Sequence, residues 1–220
     1  MTLRQSVIAL SLVLTTTGLS ARPASAQVCR GAADISSTTA FAGGGHLGFG
    51  DDSREIAGVV VGGGNSYLTE AQIGGEFTDN PDASVFTSRL LAGGQIAFSE
   101  RRRLVICPMG TASTAYTSDF LGFDLFGFTV GGGIGVGGVV AEQNGFQIIP
   151  AVGVLFERAR LRLSNDAGSF VDWLNVTTAE IGIGIVLQDR FTIRPALTLS
   201  SVEGDTSTGF RLTFLARVGR

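Results

Sequence analysis

The chain has 220 residues, 16 basic and 19 acidic, with a formal charge of −3 at pH 7. That length suits one domain. So small a charge gives no footing for nucleic acid, and no basic run exceeds Arg101-Arg102-Arg103. All sixteen basic residues are Arg, which points to genome composition rather than to function.

Residues 1–26 read as a cleaved signal peptide. Arg4 supplies the positive start, Val7 to Leu19 the apolar core, and Ala24-Ser25-Ala26 a small-residue cleavage site before Gln27. The apolar core is short for a membrane span of about 20 residues. Residues 27–37 follow as a short periplasmic or plug segment, and residues 38–220 carry the fold.

From there the chain alternates with a period of two. Phe126-x-Phe128-x-Val130, Ala179-x-Ile181-x-Ile183-x-Ile185-x-Leu187 and Phe210-x-Leu212-x-Phe214-x-Ala216-x-Val218 show it most clearly. Cutting the runs at turn chemistry predicts ten strands over 38–49, 55–64, 66–78, 85–98, 103–116, 124–141, 146–162, 174–187, 190–201 and 209–219. The uncharged stretch Leu125 to Ala141 is nearly long enough for a membrane helix. Its glycines each cost about 1 kcal/mol against Ala in a helix, and its alternation is that of a strand.

The connections alternate in predicted length. Those at Asn65, Glu100 to Arg102, Gln143 to Gly145 and Gln188-Asp189 are tight, Asp51 to Arg54 is intermediate, and 79–84, 117–123, 163–173 and 203–208 are longer. Short turns on one side and longer loops on the other, with an even strand number, are features of transmembrane barrels. The fold class is therefore all-β: an up-and-down antiparallel transmembrane β-barrel of ten strands, with eight or twelve as alternatives. A soluble calycin-like barrel would need a charged outer face, whereas this one reads as Phe, Ile, Leu and Val.

On these patterns residues 38–220 resemble the small outer-membrane β-barrel proteins of Gram-negative-type bacteria. The resemblance implies an outer-membrane location, lipid and lipopolysaccharide as surroundings, contact with the barrel assembly machinery during biogenesis, and a monomer. One departure is the end, Val218-Gly219-Arg220, where such barrels usually close on an aromatic residue.

Phasing each strand by its bulkier apolar set turns His46, Glu70, Gln72, Glu76, Arg89, Gln95, Glu180, Arg194, Arg211 and Arg217 inward. Three acids then face four arginines, and glycines at 131, 133, 135 and 137 leave room beside them. Barrels of about 8 strands are filled by side chains and those of about 16–18 hold an aqueous channel, so ten strands lie nearer the filled end. Cys29 and Cys107 are an even pair in an exported chain, which favours a disulfide over two free buried thiols. Their bond would tie the N-terminal segment to the inner wall or lower rim. Arg158, Arg160 and Arg162 alternate near the outer end of strand seven. Facing outward they would meet anionic lipid head groups or lipopolysaccharide phosphates; a bulge would turn them into the lumen.

Tyr67, Tyr116 and Trp173 near strand ends fit an interfacial girdle, as do the aromatics of Phe120 to Phe126. No metal-ligand cluster and no cofactor motif stands out. Gly43-x-Gly45-x-x-Gly48 and Gly133-x-Gly135-x-x-Gly138 match a dinucleotide fingerprint in letters, but no helix follows either one. The first functional reading is a structural or surface-interacting barrel with a filled lumen. The alternative is a narrow channel for small solutes, and a third is a barrel hydrolase or protease using His46.

Overall fold

In a computed structural model the described residues are 28–30, 40–51, 53–63, 67–78, 84–97, 104–120, 123–165, 168–188 and 190–218. The signal-peptide reading of residues 1–26 and most of the segment 27–37 lie outside them. Among the described residues a 3-10 turn, Val28–Arg30, precedes the strands β1 (Ala40–Gly50), β2 (Ser53–Gly63), β3 (Tyr67–Thr78), β4 (Ser84–Gly94), β5 (Ile96–Ala97) and β6 (Val105–Phe120). They continue as β7 (Phe123–Gly137), β8 (Ala141–Gln143), β9 (Phe146–Asn165), β10 (Gly168–Leu187), β11 (Phe191–Val202) and β12 (Asp205–Val218).

These make ten staves, as the sequence leads one to expect. β4 and β5 both pair with β6, and β7 and β8 both pair with β9, so each duo is one interrupted stave. Neighbours in sequence pair antiparallel around the ring, and β12 returns to β1 in a ladder from Phe41↔Val218 to Gly50↔Gly209. The sheet has closed on itself. The Leu125 to Ala141 stretch is β7 and the start of β8, and both fingerprint-like glycine runs begin inside strands.

The loops differ from expectation. Residues 117–120 and 123, 163–165 and 168–173, and 205–208 continue the strands, leaving two-residue connections where long loops were expected; residues 79–83 lie outside the described set. β9 and β10 each run 20 residues in unbroken register from Gly168↔Asn165 to Leu187↔Phe146. Their ladder extends because backbone groups beyond the lipid still gain by pairing, and Leu161, Leu163, Val171 and Trp173 keep the alternation going. The asymmetry of the barrel therefore lies in projecting hairpins rather than in loop length. At the opposite end Asn144 and Gly145, at φ 48° and 79°, make the tight turn that a two-residue hairpin requires.

Alternation sorts the side chains cleanly on β10: Ile181 and Ile183 stand 60% and 47% exposed outside, while Val186 is fully buried inside. The outer wall carries large exposed apolar residues on all ten staves. Water would make such a surface costly; hydrocarbon would not. An Ile183→Arg change puts a charge in the middle of this belt. Urea titration of the protein folded in lipid vesicles should show a loss of about 2–4 kcal/mol.

Candidate functional site

The interior is filled from one end. Cys29 is joined to Cys107 of β6, with the two Cα atoms 6.1 Å apart. Leu68, Leu91, Val105, Met109, Ile149, Leu155 and Val186 pack with both cysteines in a buried apolar cluster. Gly135, opposite Cys107 on β7, makes the space: a Cβ there would lie 3.0 Å from Met109 Cε and 3.4 Å from Cys29 Cβ. The disulfide expected from the cysteine pair is thus present, with Cys29 inside the wall. The apolar character of this end was not foreseen, since the inward set was read as polar residues and glycines.

Above the cluster sits a network of charges centred on Arg30. Its Nη1 is 3.1 Å from Glu180 Oε1 and its Nη2 is 3.2 Å from Glu70 Oε1. Its backbone carbonyl accepts a hydrogen bond from Arg194 Nη1 at 2.9 Å, and the same Nη1 is 3.5 Å from Glu70 Oε2. Gln72 Nε2 donates to Glu70 as well. Arg211 bridges Glu180 at 3.4 Å and Glu55 at 3.6 Å, and His46 Nε2 lies 3.2 Å from Glu55 Oε1. Arg89 pairs with Glu157 at 3.1 Å, and Thr111 donates to the same carboxylate.

Eight of the ten residues phased inward therefore gather in or beside this network or line the cavity above it, Glu76 among the latter. Gln95 is buried at the break between β4 and β5. Arg217 lies near the lower rim, where its backbone N–H donates to the Arg190 carbonyl at 2.8 Å. Three members were missed: Arg30, Glu55 and Glu157. Parity along β9 would have found Glu157, which shares the inner face with Leu155 and Ala159. Glu55 was obscured because Val59 and Val61 are as bulky inside β2 as Ile56 and Val60 are outside. Arg30 belongs to no strand, so no pattern could place it.

Beyond the charges the lumen opens into a cavity of about 910 Å³ at the projecting end. Hydroxyls dominate its wall, including Ser53, Thr87, Ser113, Thr198 and Ser200, and Glu55, Arg89 and Arg211 form its floor.

On the outside, Arg158, Arg160 and Arg162 are all exposed, with no bulge to turn them inward. The guanidiniums of Arg158 and Arg160 lie 4.8 and 5.9 Å from the centre of the Trp173 ring. Phe126 and Phe128 face Arg162 and Arg160 across β7. Phe86, Tyr116 and Phe126 stand exposed on paired positions of three adjacent staves, in the manner of an aromatic girdle. Tyr67 is exposed at the start of β3, toward the opposite rim. Leu121 and Gly122 lie outside the described residues.

Because Glu70 sits between two arginines, Glu70→Leu leaves Arg194 buried without a carboxylate and Arg30 with Glu180 alone. Denaturation of the folded barrel should show a loss of about 3–5 kcal/mol, with the disulfide intact by mass.

No protein-family model and no curated protein matches the sequence. Among solved structures, the chain is similar to Ail, the attachment invasion locus protein of Yersinia pestis, at 8% identity and TM-score 0.44, over 82% of this chain and 97% of that one. It is also similar to Neisserial surface protein A (NspA), at 10% identity and TM-score 0.39, over 81% of this chain and 94% of that one.

Proposed function

We propose that this protein is an integral β-barrel of a bacterial outer membrane with a structural or surface-interacting role, and that its lumen is closed to solutes. One observation carries the reading: an N-terminal segment is bonded to the wall through Cys29–Cys107 and places Arg30 in ion pairs across the bore. The apolar outer wall supports the membrane location. The projecting hairpins at the ends of β9–β10 and β11–β12 are the natural contact surface. A monomer is sufficient, because the ring needs no partner strand.

A narrow channel draws support from the polar cavity at the projecting end. The paired charges at its floor weigh against it, because each separated pair would have to be stabilised by water in a bore that side chains already fill. A hydrolase using His46 draws less. That ring is 1% exposed and held against Glu55 beneath the cavity floor, which supports a lumenal structural histidine.

Fractionation and planar-bilayer recording test the proposal together. The expected result is recovery with the outer membrane, faster gel mobility before boiling than after, and no unitary conductance steps. Discrete steps from the unmodified protein would transfer the function to transport. Recovery in the soluble periplasm would overturn the whole reading.

A further inference from the structure

Two features of the outer wall share the same strands. The first is the arginine series of β9. Arg158 and Arg160 lie over Trp173, and no carboxylate among the described residues pairs with any of the three. One indole gathers two guanidiniums, 4.8 and 5.9 Å from its centre, so their charges add at one place on the surface. The second is an apolar groove of about 610 Å³ farther down the same wall. Val136, Val152, Ile181, Leu197 and Phe210 line it as a row of successive cross-strand partners from β7 to β12.

Their separation matches a lipid. Arg158 is six residues from Val152, about 20 Å along a strand. With a strand tilt of about 35–45° this is about 15 Å along the membrane normal, half of a hydrocarbon core about 30 Å thick. Guanidiniums at head-group level thus place the groove near the bilayer centre. Between them, Gly132 leaves space beside Phe156 on the β7 side and Ala179 leaves space beside Val154 on the β10 side, while Thr177 and Ile134 occupy the other flanks.

We propose that this face binds a lipid bearing a phosphate monoester from the leaflet on the projecting side. The phosphate sits on Arg158 and Arg160, with Arg162 above, and an acyl chain descends past Gly132 and Ala179 into the groove. Planar guanidinium forks match phosphate oxygens in pairs, and a monoester carries more charge for them than a diester does. The site rests on the membrane reading above.

Native mass spectrometry of the folded protein, released from mixed micelles of phosphatidic acid and phosphatidylcholine with identical chains, tests it. One phosphatidic acid should stay bound with at least about tenfold preference, since each arginine near a lipid surface is worth about 1 kcal/mol. The preference should vanish in Arg158→Gln/Arg160→Gln. It should persist in Arg54→Gln, which removes an exposed arginine from the same end of β2. Val152→Trp fills the groove and should lower retention although every arginine remains. Excess inorganic phosphate should displace little lipid. Heat-dependent gel mobility, checked on every variant, reports the membrane-barrel reading separately. Barrels that keep this mobility but show no phosphatidic acid preference, an unchanged double variant, full retention by Val152→Trp, or ready displacement by inorganic phosphate would each overturn the site.

Discussion

A sheet whose outer face is apolar cannot leave an edge in hydrocarbon, because every unpaired N–H and C=O there costs several kcal/mol. The β1–β12 ladder removes that edge, and the other features of the molecule depend on it. Closure gives the wall an inside and an outside, so the period-two alternation becomes a division between lipid-facing and lumenal residues. It brings both ends of the barrel sequence to the same rim. It also confines the inward charges to a bore in which they must find one another.

How the bore is filled follows from that confinement. Isolated charges could not be held there, and the acids and arginines interleave so that Arg30 meets two carboxylates and Glu70 meets two guanidiniums. Glu70 comes from β3, and Glu180 and Arg194 from the neighbouring β10 and β11 on the other side of the ring, so the network ties opposite walls together through one residue of the N-terminal segment. The disulfide fixes that residue's position in the bore. Below it, apolar packing around Cys29 excludes water from the lower lumen. Above it, the hydroxyl-lined cavity is free to fill with water. On the reading proposed above, the barrel is a cup closed at one end.

Much of this was legible in the chain, and the exceptions have physical causes. β10 announces itself because isoleucine and glycine differ so much in size that the parity of each residue is plain. β2 does not, since valines occupy both faces, and Glu55 was lost with its phase. The hairpin of β9 and β10 was read as a long loop because Ser164 to Gly168 offers turn chemistry over several residues, whereas only residues 166 and 167 separate the strands. Turn-forming residues show where a chain can turn, and the ladder decides where it does. The arginines of β9 share the parity of Phe156, which would have sufficed to place them outside had a bulge been ruled out. The cysteine pair gave the plug its attachment. Nothing in the pattern gave Arg30 its role, because a residue outside the strands has no parity to read.

The central claim is that alternate residues of one wall meet lipid and the rest meet a closed bore. Site-directed spin labelling along β10 tests it most directly, since Cys29 and Cys107 are bonded and each introduced cysteine is the only free thiol among the described residues. Single cysteines from Thr177 to Leu187, labelled in lipid vesicles, should show collision rates with dissolved oxygen that rise and fall with a period of two. The maxima should fall at Ile181 and Ile183, and the labels at Glu180 and Gly182 should be shielded from oxygen. Equal oxygen access at both parities, or strong access of a water-soluble relaxant at Ile181 and Ile183, would contradict the account.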